Sequence, residues 1–259
     1  MFSKIIFFAL LGWGGGMLVN WLSDMLCSLR LDSLLADVPC KACVLPKQWG
    51  AYFSGLQRCP QCSRWRVRYF LVNSVFAGIS IGLGIAPPEG MPYGVGMALM
   101  IFFGVVTVID VEHRLILHPV SWVGAFMGLG FGIWWRGLVA TLLGGAAGFS
   151  LMLGLYFFGD LFAKWMARLR GETLEEVALG FGDVNLAGIL GLLLGWPGII
   201  GGLVLAILLG GVFSLLYLVG MLIVERRYRA FAAIPYGPFL VASGVILLFL
   251  QDMMWGIWP

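Results

Sequence analysis

Seven or eight stretches of this sequence approach the ~18–20 apolar residues that a helix needs to cross the hydrocarbon core of a bilayer. They fall at about Ile5–Leu22, Tyr69–Ala86, Tyr93–Asp110, Pro119–Trp135, Leu138–Phe162, Leu179–Trp196, Ile199–Val224 and Ile234–Phe249. Lipid offers no partner to a bare N–H or C=O, so a chain of this kind must satisfy its backbone within its own helices. A hydrophobic content of 61% against 11% charged residues over 259 positions excludes an ordinary soluble protein. The 38 glycines suit close helix packing in a membrane. The expected fold is therefore an all-α polytopic membrane protein of about eight transmembrane helices. Met1–Leu22 starts like a signal peptide, with Lys4 ahead of Ile5–Leu11, but no A-x-A pattern follows it. Cys27 follows Met25-Leu26 rather than the small residues of a lipoprotein site, so the segment reads as a membrane helix.

The basic residues orient the series. Eight helices place the connections 30–68, 111–118, 163–182 and 225–229 on one side, and these hold fourteen of the sixteen Lys and Arg, leaving Lys4 and Arg136 opposite. Basic loops are cytoplasmic by the positive-inside rule, which puts both termini outside. Asp24 and Arg30 mark the exit of the first helix, and the eleven Trp, mostly near helix ends, read as interfacial anchors. Basic residues in 30–68 interleave with Trp49, Tyr52, Trp65 and Tyr69; anionic lipid accounts for that charge more simply than nucleic acid, which is not expected as a partner.

Two carboxylates stand out against the apolar pattern. Asp110 closes the run VGMALMIFFGVVTVI, and Asp183 stands at the head of the run LGFGDVNLAGILGLLLGW. A charge at mid-bilayer costs about 2.5–3.5 kcal/mol on insertion scales, so each is a functional candidate. In the expected topology both lie at the cytoplasmic mouth, at one depth. Two adjacent carboxylates share a proton; one then activates a water while the other donates to a carbonyl oxygen, which is aspartic-protease chemistry. Gly180 and Gly182 frame Asp183, and glycine would permit unusual dihedrals or a close-lying substrate strand there. A helix-entry turn is the plainer explanation of the same glycines. His113 and His118 sit at headgroup level and are assigned no role.

The segment 30–68 carries a second pattern. Cys40-Lys-Ala-Cys43 and Cys59-Pro-Gln-Cys62 are separated by fifteen residues, the spacing of a tetrahedral four-thiolate zinc site. Such a site would be structural, because four thiolates leave no open position for water. Disulfides are the alternative, and a reducing cytoplasmic side disfavours them. The expected division is thus residues 1–29, a first transmembrane helix; 30–68, a cytoplasmic zinc-ribbon-like segment; and 69–259, a seven-helix membrane core.

These motifs together resemble the type IV prepilin peptidases, membrane aspartic peptidases of the G-x-G-D class. VTVIDVEHRLI is similar to the family's first-aspartate segment, GFGDVNLAGILGLLLGW to its second, and IPYGPFLVASGVI to its closing helix. Many members carry a similar pair of Cys pairs. The resemblance implies a bacterial inner-membrane enzyme that removes the basic leader of prepilins or pseudopilins at the cytoplasmic face, with Asp110 and Asp183 as the catalytic pair. Many members then methylate the new N-terminus with S-adenosylmethionine. Here the N-terminal G-S-F-x-N motif reads Gly16-Met-Leu-Val-Asn20, its Arg-Leu-Pro is absent, and Leu117-His118-Pro119 replaces the usual Pro-Asp after Asp110. Since that N-terminal region is associated with methyl transfer, the methylating activity stays open. A basic leader would be repelled by 30–68, where seven Lys and Arg face only Asp32 and Asp37, so Glu172, Glu175 and Glu176 are the candidates for receiving it. Carboxylates in a bundle also suit a proton-coupled transporter, and a zinc ribbon suits a non-enzymatic assembly protein.

Overall fold

The computed structural model describes residues 2–28, 50–53, 57–58, 65–88, 90–170, 180–224 and 235–249. Among them eight helices of thirteen residues or more follow the expected apolar runs. These are α1 (Phe2–Ser28), α3 (Val67–Ile85), α4 (Tyr93–His113), α5 (His118–Arg136), α6 (Leu138–Arg170), α7 (Phe181–Leu194), α8 (Gly198–Val224) and α9 (Gly237–Phe249). A one-turn helix, α2 (Gly50–Phe53), precedes the two-residue strands β1 (Gln57–Arg58) and β2 (Trp65–Arg66), which pair antiparallel with Gln57 opposite Arg66. This ribbon brackets the second Cys pair in sequence, but Cys40, Cys43, Cys59 and Cys62 lie outside the described residues, as do Glu172, Glu175 and Glu176.

Five helices among the described residues are long and apolar enough to cross a membrane: α1, α3, α4, α6 through Phe162, and α8 through Met221. The chain is a multi-pass membrane protein. Large apolar side chains such as Phe126, Leu161, Leu208 and Leu216 point outward, as a lipid solvent permits. At fourteen and thirteen residues α7 and α9 are each about 20 Å long, short of the ~30 Å hydrocarbon thickness. Helix α6 runs to Arg170, eight residues beyond the Phe162 expected from hydropathy. Polarity ends a membrane crossing without ending a helix, and Lys164 bonds Asp160 one turn back at 2.7 Å.

The chain divides into two compact units, Met1–Glu112 and His113–Pro259. In the first, α1 and α3 meet through Gly12 and Gly16: a Cβ at Gly12 would fall 2.6 Å from Ser80 Cβ, and one at Gly16 2.6 Å from Asn73 Cα. Helix α4 closes on this pair, with eleven of its twenty-one residues buried and Phe76 laid against Gly104. The buried polar groups are bonded into a chain. Asn20 Nδ2 donates to Asn73 Oδ1 at 3.1 Å, and Asn73 Nδ2 donates to the Tyr52 carbonyl at 2.9 Å. The retained Asn20 thus ties α1 to α3, which ties α2 in turn. Asp24, expected to mark a helix exit, is instead 5% exposed and accepts hydrogen bonds from Tyr52 and Tyr69.

In the second unit α7 is the core: ten of its fourteen residues are buried, which is why it is apolar on every side rather than striped. Helix α6 reaches its backbone through Gly144, Gly145 and Gly148; a Cβ at Gly191 would lie 3.0 Å from Gly145 Cα and closer still to the Gly144 carbonyl oxygen. Helix α5 presents Gly128 and Gly132 to Leu192, and Gly244 of α9 receives Leu190.

These contacts make a clear prediction. Gly191→Ala forces two backbones apart and is expected to lower stability by about 1–3 kcal/mol, the usual range for overpacking. Gly154→Ala, on α6 with open space where its Cβ would go, gains helix propensity of about 0.8–1 kcal/mol and leaves stability equal or higher. Melting of the detergent-solubilised variants checks the contrast, and equal melting for the two would refute the packing account.

Candidate active site

Asp110 lies in the last turn of α4, following buried Val108 and Ile109, and is 5% exposed. Asp183 lies in the first turn of α7 and is 8% exposed. Both expected carboxylates are therefore buried and both stand at helix ends, in separate compact units.

The turn before Asp183 is built simply. Gly180 precedes α7 in extended backbone, φ −76° and ψ 141°, and its carbonyl accepts the Asp183 N–H at 3.1 Å. The expectation that Gly180 and Gly182 serve unusual dihedrals is therefore corrected: neither has a positive φ, and residues of any type adopt these angles. Gly182 is required for a different reason. A Cβ there would lie 2.7 Å from Ile116 Cβ, so the segment after α4 is pressed against the α7 entry. Arg114 adopts φ 52° in that segment, and buried Leu117 leads into α5, where Pro119 takes a first-turn position suited to its missing N–H. Phe181, also in the first turn of α7, packs edge-on against Tyr156 of α6 at 6.1 Å between centroids.

Two neighbours were not assigned a role from the sequence. A cavity of about 390 Å³ opens between α5, α6 and α7, with Trp122, Phe149, Phe181 and Ile189 as apolar walls and His118 and Asn185 as polar ones. Tyr236, immediately before α9, packs near Gly210 and Phe239. Burial raises its phenol pKa, and the negative charge of Asp183 raises it further. The signal in the sequence was the Pro-Tyr-Gly-Pro stretch, which read only as the start of the closing helix.

Residues 97–215, which hold both aspartates, match the type IV leader peptidase family. Over that stretch the chain is similar to the type IV leader peptidases. The prepilin leader peptidase/N-methyltransferase of Aeromonas salmonicida (strain A449) is 27% identical over 202 residues, which cover 75% of this chain and 62% of that protein. The protein of the same name from Legionella pneumophila is 27% identical over 205 residues, covering 75% and 63%. The chain thus spans a little under two thirds of the length of these curated relatives. No solved structure matches it.

The environment of Tyr236 yields a pH prediction. Its neutral form is favoured in the folded state, so its contribution to stability is complete below the ordinary tyrosine pKa of about 10 and is lost as pH rises above that value. Ultraviolet phenolate titration of the wild type minus Tyr236→Phe should give a component with a midpoint above the ordinary value. Asp183→Asn should move that component down. A midpoint unmoved by Asp183→Asn would separate the two groups.

Proposed function

We propose that this protein is a membrane aspartic endopeptidase that removes the basic leader peptide of type IV prepilins or pseudopilins at the cytoplasmic face of a bacterial inner membrane. Asp110 and Asp183 are its catalytic pair. The observation that carries the reading is two buried carboxylates in the two aspartate frames of a stretch matching a leader peptidase family. The names of the relatives agree, since they are called prepilin leader peptidase/N-methyltransferase. A proton-coupled transporter is less well supported: it would be expected to place such groups near the bilayer midplane and often to show two related halves, and the sequence carries no such repeat.

In this reading the pair holds one proton. The ionised aspartate takes a proton from a water as the water oxygen attacks the scissile carbonyl carbon, and the protonated one gives its proton to the carbonyl oxygen. Collapse of the resulting gem-diol breaks the C–N bond, with a proton delivered to the departing amine. The pair ends as it began, with one proton. Burial serves this chemistry because two carboxylates screened by little water repel strongly and keep that proton.

Cys40, Cys43, Cys59 and Cys62 are proposed to hold one zinc ion, with a structural role. Their spacing and the β1–β2 pair bracketing Cys59 and Cys62 fit a thiolate knuckle. Glu172, Glu175 and Glu176 are proposed to attract the basic leader. S-adenosylmethionine would be the donor if the new N-terminus is methylated.

Incubation with a purified prepilin, read by mass spectrometry, tests the reading, since leader loss and an added methyl group give separate mass changes. Asp110→Asn and Asp183→Asn are each expected to lower cleavage on the order of 10⁴-fold, as for members of a catalytic unit, while the protein remains inserted and folded. Full turnover by either folded variant would sink the pair. For the metal, analysis of protein purified under reducing conditions should find about one zinc per chain, lost in Cys40→Ser or Cys59→Ser. Metal-free wild type that is otherwise folded would remove zinc from the account.

A further inference from the structure

Three helix ends of the first unit converge on one guanidinium. Arg68, the second residue of α3, donates through Nη2 to Asp24 Oδ1 near the end of α1, at 2.5 Å. Through Nη1 it donates to Oε2 of Glu112, the penultimate residue of α4. Its guanidinium also lies 4.7 Å from the centre of the Tyr69 ring. The other Asp24 oxygen accepts from Tyr69 Oη at 2.8 Å and Tyr52 Oη at 3.0 Å, so both oxygens of this buried carboxylate are engaged. One cation thus serves two carboxylates, one of them buried.

Glu112 follows Asp110 by two residues, in the turn where α4 stops. The last four carbonyls of a helix have no intrahelical partner, and terminal turns fray unless something fastens them. Arg68 supplies the fastening here, because a planar fork with several fixed N–H groups can hold two carboxylates at once in a way that a lysine ammonium cannot. Asp24 fixes the fork in turn. It is buried, and it is bonded to two tyrosines whose rings meet edge-on at 5.2 Å.

We infer that Arg68 is a positioning residue for the peptidase reaction: by clamping Glu112 to Asp24 it holds the terminal turn of α4, and with it the Asp110 carboxylate, at the depth and orientation that the reaction needs. The inference rests on Asp110 being catalytic, as proposed above. Arg68 and Glu112 touch no reacting atom in this reading. Their loss displaces a catalytic carboxylate rather than removing one, and misplacements of about an ångström cost rate on the order of 100-fold.

Glu112→Gln is the informative variant, because it removes the charge from the tie to α4, leaving only a weaker neutral acceptor, while keeping the Arg68–Asp24 pair in place. Cleavage of a purified prepilin in detergent micelles should show kcat reduced about 10–100-fold with KM and melting temperature nearly unchanged. Arg68→Ala should lower kcat at least as much and also destabilise the unit, because it strands buried Asp24. In the Arg68→Ala/Glu112→Gln double variant the kcat loss should equal that of Arg68→Ala alone, and Arg68→Lys should restore only part of it. Hydrogen exchange of the amides of residues 108–113 should quicken in Glu112→Gln while α1 and α3 stay protected. Unchanged kcat in Glu112→Gln, or multiplicative losses in the double variant, would overturn the inference. The exchange measurement distinguishes it from the functional reading: if the wild type does not cleave prepilin, that reading fails, whereas unchanged protection of 108–113 in Glu112→Gln removes the clamp whatever the activity.

Discussion

The backbones of α6 and α7 touch, and the second unit depends on that contact. Apolar side chains gain little from meeting one another when the alternative is lipid, so association in a membrane relies on close packing of many atoms. Gly144, Gly145 and Gly148 on α6 meet the backbone of Ala187, Gly188 and Gly191 on α7, with the side chains of Leu192 and Phe149 closing on the glycines beside them. The result is a short helix held from several sides at once, since α5 and α9 reach it through Gly128, Gly132 and Gly244. Asp183 stands in the first turn of that helix and inherits its rigidity. A carboxylate carried on an exposed terminal turn would wander; on a buried one it stays where the packing puts it.

The first unit meets the same requirement with polar groups. Glycine contacts, Gly12 and Gly16 among them, bring α1 and α3 close enough for Asn20 and Asn73 to bond across the seam. From there hydrogen bonds run to the Tyr52 carbonyl, from the Tyr52 hydroxyl to Asp24, and through Arg68 to Glu112. Each link satisfies a group that would be costly to bury alone. One terminal turn is therefore immobilised by backbone contact in the helix that carries it, and the other by a chain of hydrogen bonds ending beside Asp110.

The sequence made the eight helices legible because each is a dense apolar run, and it made the two aspartates legible because each is the lone acidic residue of its run. Other features were closed to it for physical reasons. Arg68 and Asp24 are forty-four residues apart, and no periodicity links residues across two helices; each read singly as an interfacial charge. Helix α6 outran its expected end because hydropathy reports the bilayer boundary while helix propensity ignores it. Of the reasons expected for Gly182, the unusual dihedral is not adopted; its neighbour Ile116 comes from a different segment, and only the packed fold places it there. Tyr236 was visible only as a letter in a turn, because its phenol acquires significance from a charge fifty-three positions earlier.

Helix ends are also where a bundle of this kind can combine burial with hydrolysis. Mid-helix carboxylates would be shielded from water by a full turn of apolar side chains on either side. At a terminal turn the same side chains cover one direction only, and water can approach from the other. Asp183 adds the partial positive charge of a helix N-terminus, and its N–H is already turned back to the Gly180 carbonyl, so the entry is compact before any substrate arrives. Under the proposed function, a basic leader would stay in water for the reason that keeps charge out of lipid, and a scissile bond next to it would be within reach of a terminal turn rather than of a mid-membrane residue.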